Sequence, residues 1–300
     1  MKKDKEQLSL FDIELPPYNE PETDVRIEEA KQKETVSFAK VPDEEFIYTL
    51  FKTNVPTVGQ ILKLLEKGLY KVNAHEFLSD VFECGAIAIS NRFDFRQYQK
   101  REERYLQIIK KYDKGIQNLI VDIFAHIYLL LTQQINPSVG FNDYLGELYM
   151  RSETSNSKAG QFFTPYDVSK LCAEVSINED IVKSAIEQDK ILTLSEPACG
   201  AGGMVIAAAD VLYYKYHFNI SRNLLVECSD IDSRCVHMTY LQLGLAGIPA
   251  VIYRRNTITM ETWERWETPA YIMQYSRFAN AFGKGYEWKP ERKEKNNDLQ

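Results

Sequence analysis

The sequence predicts an α/β fold in which a parallel sheet of βαβ units follows an all-helical region. Three observations lead to this class. Between residues 41 and 155, apolar residues recur at helical spacing in runs such as VGQILKLLEKGL and IQNLIVDIFAHIYLLL. Between residues 156 and 275, short β-type runs (KILTL, NLLVEC and AVIYR) alternate with helical runs, as they do in parallel sheets. The first β-type run leads into the glycine-rich stretch EPACGAGG, which opens another helical run.

Residues 1–40 form the first predicted region, and their composition indicates disorder. They are rich in Glu, Lys, Asp and Pro, a mixture that buries too little apolar surface to order a chain. Residues 1–45 hold 13 acidic and 7 basic side chains, so they account for −6 of the net charge of −7. The remaining chain is therefore near neutral, which excludes a generally basic protein that coats nucleic acid.

The acidic region also contains the pentapeptide QLSLF, which resembles the peptide by which bacterial polymerases and repair proteins bind the replication sliding clamp. In that mode of binding, the Gln7 amide would hydrogen-bond at the rim of the clamp pocket, and Leu8, Leu10 and Phe11 would fill an apolar cleft. The alternative is a chance match whose apolar side chains pack on the folded protein. The peptide makes the sliding clamp an expected partner.

The predicted helical region, residues 41–155, contains both the most apolar and the most basic stretches of the chain. Residues 119–131 are apolar but are too short and too polar to span a bilayer, so we expect a core helix and no membrane association. Residues 91–114 hold eight basic and four acidic side chains, so they could contact phosphates or form an ordinary solvated helix face. The last helix is expected to begin at an N-cap formed by Asn142 or Asp143.

The cysteines and histidines do not form a metal-binding pattern, and no metal site is expected. The five cysteines contain no CxxC pair, and the four histidines are scattered. A chain of this length does not need disulfides, so we expect reduced, mostly buried thiols in a cytoplasmic protein. The lysines at the N-terminus are interrupted by acids and precede no apolar segment, so we expect no signal peptide.

The glycine-rich stretch is the main indication of a ligand. In α/β proteins, ligands bind at the carboxyl ends of the strands, where glycines let backbone N–H groups approach. Gly200, Gly202 and Gly203 suit a nucleotide or a nucleoside such as S-adenosylmethionine, although their spacing matches neither GxxxxGK[ST] nor GxGxxG. The next β-type run ends in VECSDID, where an acid could accept hydrogen bonds from ribose hydroxyls. A tight structural turn is the alternative.

Several ordered motifs resemble those of the adenine-N6 DNA methyltransferases, especially the modification subunits of type I restriction systems. They are GQFFTP at 160–165, EPACGAGGM at 196–204, SDID at 229–232 and RRNT at 254–257. The helical stretch ending in YLGELYM resembles the helical domain that precedes the catalytic core of these enzymes. The resemblance implies a Rossmann-like, S-adenosylmethionine-dependent methyltransferase core at about 156–275, after the helical domain.

The resemblance also implies that four segments surround the cofactor. The first would close over the methionine end, the second would enclose the amino acid and ribose, the third would hold the ribose hydroxyls beside the adenine ring, and the fourth would meet the adenine edge. In chain order these residues are Phe162, Phe163, Thr164 and Pro165; Glu196, Pro197, Cys199, Gly200, Gly202 and Gly203; Asp230 and Ile231; and Asn256. The alternatives are that the phenylalanines are ordinary core residues, that Cys199 is a small buried residue, and that Asp232 caps a helix.

The catalytic element of the family, Asn or Asp followed by Pro-Pro and an aromatic residue, does not occur in this sequence. In the family, this element accepts hydrogen bonds from the amine of a flipped adenine and stacks on the base. The nearest stretch is TPAY, in which Thr268 replaces the amide or carboxylate, Pro269 could shape the backbone, and Tyr271 could stack. The preceding METWERWE is unsuited to a buried strand. Because only about 29 residues follow Tyr271, we expect a degenerate or truncated catalytic half.

Three functions remain open on the sequence. The first is a divergent adenine-specific DNA methyltransferase in which TPAY is a working substitute. The second is a non-catalytic, DNA-associated protein that keeps the cofactor fold and binds the clamp. The third is a methyltransferase for a substrate other than DNA, against which GQFFTP argues. Since no sequence-recognition domain is visible and residues 276–300 are a polar tail, a specificity subunit or clamp tethering would have to bring DNA near.

Overall fold

The computed structural model describes residues 55–69, 74–152 and 163–278 of the 300-residue chain. All of these residues belong to one unit of the fold, which extends from Lys40 to Gln300. The clamp-like peptide QLSLF, with Gln7, Leu8, Leu10 and Phe11, lies outside the described residues, and so does Phe162.

Helices make up the described chain up to residue 151. They are α1 (Val58–Leu69), α2 (Ala74–Ser90), α3 (Tyr98–Ile109), α4 (Lys114–Thr132) and α5 (Tyr144–Arg151), with a 3₁₀ turn at Phe95–Gln97. Their apolar faces meet in a core that contains the fully buried Phe77, Ile123 and Ile127. The apolar residues of this region recur at helical spacing, so each helix has one apolar face. Burying these faces against one another stabilises the helices.

The second part combines helices with a four-stranded sheet, which confirms the α/β class. The strands are β1 (Leu192–Glu196), β2 (Leu224–Asp230), β3 (Ala250–Arg255) and β4 (Thr262–Glu267). The helices are α6 (Tyr166–Ser176), α7 (Glu179–Glu187), α8 (Gly203–Asp210), which continues as a π-turn over Val211–Lys215, α9 (Ile220–Asn223), α10 (Ser233–Leu245), α11 (Pro269–Met273) and α12 (Tyr275–Phe278).

The strands lie in the order β1-β2-β3-β4, with β1, β2 and β3 parallel and β4 antiparallel to β3. Leu192 pairs with Leu224, and Val226 pairs with Ala250. The carboxyl ends of the three parallel strands therefore meet at one edge of the sheet. Helix α8 packs on α6 on one side of β1, while α10 packs on α2 and so joins the sheet to the helical part.

Helix α4 is the one described helix that is long and apolar enough, by length and composition, to cross a membrane. Half of its apolar window is buried inside the protein, and nine of its residues belong to the core. It packs against α1, α2 and α10. The core helix of a soluble protein has the same length and composition, so these two properties do not by themselves indicate a membrane span.

The last six residues of METWERWE form strand β4, although the sequence predicted that this stretch is unsuited to a buried strand. Its charged and aromatic side chains are accommodated by tertiary partners. Trp266 is buried, and the guanidinium of Arg101 from α3 lies 4.0 Å from its ring centroid. Arg101 also donates to the carbonyl oxygen of Arg265 at 2.9 Å, and Arg265 pairs with Glu267 at 2.6 Å. Helix α3 therefore provides, through Arg101, partners for the aromatic and backbone groups of β4.

Helix α6 carries several exposed apolar side chains. Among the described residues, β1 pairs with β2 alone. Helix α6, which packs on α8, exposes Val168, Leu171 and Val175, and the Val175 side chain is 79% exposed. These residues recur at helical spacing, so they form one stripe, and Ile181 of α7 is exposed nearby in sequence. We call Val168, Leu171 and Val175 the α6 stripe.

Candidate functional site

The glycine-rich loop connects the end of β1 to the start of α8, and its backbone explains its composition. Gly200 and Gly202 have positive φ angles of 54° and 96°, which side chains with a Cβ rarely adopt. A Cβ on Gly200 would lie 3.1 Å from the Phe163 ring, and one on Gly202 would lie 3.2 Å from the Thr239 hydroxyl. Both positions therefore favour glycine, because of their backbone angles and because a side chain there would press on Phe163 or Thr239.

Asp230, at the end of β2, fixes this loop. One carboxylate oxygen accepts a hydrogen bond from the Gly200 N–H at 2.9 Å, and the other accepts one from the Asp232 N–H at 2.9 Å. Partial burial raises the pKa of the Asp230 carboxyl, and the nearby Asp232 adds to that effect. Asp232 itself is the N-cap of α10 and accepts from the Arg234 N–H at 2.9 Å, which fits the alternative that this residue caps a helix.

A cavity of about 250 Å³ lies beside the loop. It brings together six residues that the sequence predicted as cofactor contacts, namely Phe163, Thr164, Cys199, Gly200, Gly203 and Asp230. Six further residues line it, namely Asp143, Ser169, Ala198, Ala201, Met204 and Cys235. The charged side chains of this lining are two aspartates, and no lysine, arginine or histidine is among them. The cavity is therefore acidic.

The sequence predicted a helix cap at Asn142 or Asp143, and Asp143 is the cap: its Oδ1 accepts from the Gly146 N–H at 2.9 Å. The structure adds a second role, because Asp143 also lines the cavity. The buried Gln242 of α10 connects it to the loop. The Gln242 amide donates to Asp143 Oδ1 at 2.7 Å and to the Ala201 carbonyl oxygen at 2.7 Å, and its oxygen accepts from the Leu145 N–H at 3.2 Å.

The remaining predicted cofactor residues that the structure describes do not line the cavity. Glu196 accepts from the Ala198 N–H at 3.0 Å, and the Pro197 carbonyl oxygen accepts from the Thr257 hydroxyl at 2.6 Å. That second bond brings the end of β3 to the loop. Asn256, the residue before Thr257, uses its side-chain oxygen to accept from the Ile258 N–H at 3.0 Å. Two further predicted residues are Ile231, which is exposed, and Pro165, which precedes α6.

Cys199 fits the alternative of a small buried residue. It is 6% exposed, and its neighbour Cys228, together with burial, raises the pKa of its thiol. A neutral, buried thiol is a poor nucleophile. All five cysteines are free, and four of them are buried, as the sequence predicted, while Cys172 is exposed. Within the described ranges, no group of three or more His, Cys, Asp and Glu side chains could hold a metal ion.

The structure separates Thr268, Pro269 and Tyr271 from the glycine loop. Thr268 is fully buried, and its hydroxyl accepts from the Ala250 N–H at 2.8 Å and donates to the Ile248 carbonyl oxygen at 2.9 Å. These contacts place it at the amino end of β3, whereas the loop follows the carboxyl end of the parallel β1. Pro269 begins α11.

Tyr271 is also part of the core on that side of the molecule. It is 3% exposed and packs with Leu225, Val251, Tyr253 and Phe278, whose ring is stacked on it at 6.1 Å. Among the described residues, these side chains contact core groups and backbone at the end of the sheet opposite the loop. A catalytic role for TPAY stays a prediction.

A larger cavity of about 460 Å³ lies between α3 and β4, away from the loop. Its lining includes Arg96, Arg101, Arg104 and Arg265, and each of these side chains is paired with an acid. These four arginines are therefore already paired within the protein, and Lys100 is the further basic residue of the lining. We place the candidate site in the smaller cavity, where polar groups face the space without internal partners.

Comparison with known proteins gives one match. Residues 142–299, just over half of the chain, match the model of the N-6 DNA Methylase family. The match begins next to Asp143 and includes the glycine loop, Asp230 and Asn256. Neither the search of curated proteins nor that of solved structures found a match.

Proposed function

Because the chain belongs to the N-6 DNA methylase family, we propose that it binds S-adenosylmethionine in the cavity beside the glycine loop. The observation that carries this proposal is the charge of the lining, which includes Asp143 and Asp230 and no basic side chain. S-adenosylmethionine has two positive groups, a sulfonium and an ammonium, and no phosphate. Two carboxylates in a partly buried site attract such a ligand and repel a nucleotide polyphosphate.

The other contacts of the site support the same ligand. Asp230 stands where a strand-end carboxylate can accept hydrogen bonds from ribose hydroxyls while it holds the loop. Ile231 and Asn256 follow the ends of β2 and β3, and we propose that they flank the adenine ring. When bound, the cofactor would supply the methyl group for transfer to an exocyclic amine of adenine in DNA.

We propose that this chain alone has little or no methyltransferase activity. Its nearest match to the catalytic element is Thr268–Tyr271, and the hydroxyl of Thr268 is already used inside the fold. This hydroxyl is fully buried, and its proton and one of its lone pairs are already used by the backbone, so it is not placed to receive a substrate amine. The protein would then be a DNA-associated member of the family that depends on a specificity subunit, on clamp tethering or on another source of catalytic groups, in the cytoplasm.

Calorimetric titration with S-adenosylmethionine tests the cofactor site. We expect binding by the wild type and a loss on the order of 1–3 kcal/mol in Asp230→Ala, which removes the acceptor of the ribose hydroxyls. Gly200→Val should also weaken binding, because its φ of 54° disfavours a Cβ and the Phe163 ring lies close. Gly59→Val is the matched control, since a Cβ there would meet only the Thr57 hydroxyl at 3.8 Å. Absence of heat with the wild type, or equal affinity in Asp230→Ala, contradicts the proposal.

The same preparations test catalysis. Tritiated methyl groups from the cofactor should not be incorporated into DNA of mixed sequence above the level seen with Asp230→Ala. Incorporation by the wild type that clearly exceeds this control would show that the chain is an active enzyme, with acceptor groups other than those described.

For the N-terminal peptide we propose binding to the sliding clamp, on the strength of the sequence QLSLF alone. A peptide of residues 1–20 should bind a bacterial clamp in a fluorescence polarisation assay, and Leu10→Ala with Phe11→Ala should remove most of the binding by deleting the apolar anchors. A peptide of the same composition in scrambled order is the control. If the scrambled and natural peptides bind equally, the match is a coincidence.

A further inference from the structure

Asp143 has one carboxylate oxygen that the fold does not use. Its Oδ1 accepts two hydrogen bonds, from Gly146 and Gln242, while Oδ2 has no partner among the described residues. The side chain is 6% exposed, and burial raises the pKa of its carboxyl. A buried carboxylate with a free oxygen at a cavity wall is a site for a cationic group.

Two glycines let this carboxylate reach the cavity. A Cβ on Gly146 would lie 2.1 Å from Asp143 Oδ2, and one on Gly203 would lie 2.8 Å from the same atom. Both distances are too short for real atoms, so the carboxylate occupies space that only glycines leave open. Oδ2 therefore lies directly over the first residue of α8, at the end of the glycine loop.

Ser169 is a second unused polar group in the same cavity. It belongs to α6, is fully buried, and lines the space beside Asp143 and Thr164. Its hydroxyl has no hydrogen-bond partner among the described residues. Buried hydroxyls nearly always have a partner, so an unpaired one that lines a cavity indicates a missing ligand group.

We infer that Asp143 and Ser169 form the subsite for the amino-acid end of the cofactor, in which Asp143 Oδ2 binds the α-ammonium and the Ser169 hydroxyl donates to the α-carboxylate. The inference rests on the proposed function. It assigns to α5, a helix that precedes the sheet and the glycine loop, a direct contact with the ligand. The positive and negative ends of an amino acid then have one matching group each within a single cavity.

Three ligands separate the two contacts in calorimetric titrations of the full chain. They are S-adenosylmethionine, its decarboxylated form, which keeps the amine, and methylthioadenosine, which lacks the whole amino-acid end. Asp143→Asn keeps the size of the side chain and an oxygen for the helix cap. It should weaken the first two ligands roughly tenfold to a hundredfold, as expected for a lost charge-assisted hydrogen bond, and leave methylthioadenosine unchanged.

Ser169→Ala gives an independent signature. It should weaken S-adenosylmethionine several-fold but leave the decarboxylated form unchanged. It should also leave the melting temperature of the ligand-free protein equal or higher, because it removes a buried hydroxyl that has no partner. A structural role for this serine would lower that temperature instead.

The outcomes distinguish this inference from the proposal on which it rests. If the wild type binds none of the three ligands, the proposed function fails and the inference fails with it. If the wild type binds but Asp143→Asn binds all three with unchanged affinity, the inference alone is overturned. An equal loss for methylthioadenosine and S-adenosylmethionine would also overturn it, because Asp143 would then act only by holding the loop.

Discussion

At the scale of single residues, the acidic groups of the cavity set how stability depends on pH. Burial raises the pKa values of both Asp143 and Asp230. A carboxyl with a raised pKa binds its proton more tightly in the folded state than in the unfolded state. Its contribution to stability is therefore fully present below the ordinary carboxyl pKa and is lost as the pH rises through the raised folded value.

We predict that Asp143→Asn removes the loss of stability that the Asp143 carboxyl causes as the pH rises. The free energy of unfolding is measured in urea from about pH 4 to about pH 7. Over this range it should increase less for the wild type than for the variant, because only the wild type must release a buried proton from residue 143. Asp180→Asn, at an exposed position on α7, is the control. Parallel curves for wild type and Asp143→Asn would show that Asp143 ionises in the fold as it does in the unfolded chain.

At the scale of elements, the turn from β4 into α11 shows how the TPAY stretch contributes to the fold. The N–H of Thr268 donates to the Ala250 carbonyl oxygen at 3.0 Å, and its hydroxyl bonds to the backbone on both sides of Pro249. Three bonds thus attach the end of β4 to the start of β3. Tyr271 then packs its ring under the sheet.

We predict that Thr268→Val destabilises the protein by on the order of 1–3 kcal/mol, since it leaves the buried Ala250 N–H without an acceptor. Thr268→Ser keeps the hydroxyl and should lose much less. Neither variant should alter the affinity for S-adenosylmethionine, because the cavity lies at the opposite edge of the sheet. Urea unfolding and calorimetry measure the two quantities. A selective loss of ligand binding in Thr268→Val, without loss of stability, would restore a functional role to TPAY.

The sequence predicted those elements that are determined by residues close together in the chain. Short apolar runs that alternate with helical runs predicted β1, β2 and β3. Short polar residues ahead of helices indicated a cap at Asn142 or Asp143 and, as an alternative role, a cap at Asp232. Strand β4 could not be predicted, because its charged side chains become compatible with a sheet only when Arg101 arrives from α3. Local propensity is overridden there by a tertiary contact.

The candidate site divides in the same way. Its glycine loop and Asp230 carry a recognisable spacing, and the cavity contains both. No sequence pattern marks Asp143 and Ser169 as ligand contacts, since a helix cap and a serine within a helix are ordinary features. Their relation to the loop depends on Gln242, which is 99 residues from Asp143 in the chain. Contacts of that sequence separation leave no pattern in a single sequence.

At the scale of the whole molecule, charge and apolar surface are unevenly distributed. Several arginines of the basic stretch 91–114 pair with acids inside the protein, as Arg101 does with Asp94 and Arg104 with Glu83. This stretch therefore offers less positive charge to DNA phosphates than its composition suggests. The α6 stripe, by contrast, exposes three apolar side chains on one helix.

We predict that the α6 stripe dominates the binding of a hydrophobic dye to the folded protein. Exposed contiguous apolar surface binds such dyes, whereas single exposed residues contribute little. Leu171→Lys with Val175→Lys should reduce the dye fluorescence strongly without changing the melting temperature by much. Ile258→Lys, at a residue that is 94% exposed but lies apart from the stripe in sequence, should have little effect. Equal reductions at both sites would show that the stripe is not a distinct surface.

The three hydrogen bonds of Gln242 have a kinetic consequence. Because this one amide joins α5, the glycine loop and α10, the loop cannot open without leaving buried polar groups unpaired, unless α5 detaches with it. Amide protons of the loop and of α5 should therefore exchange with solvent through a common opening event. A ligand that fills the cavity would slow exchange in both, although about 50 residues of chain lie between them, and the preceding helix would report on occupancy of the loop.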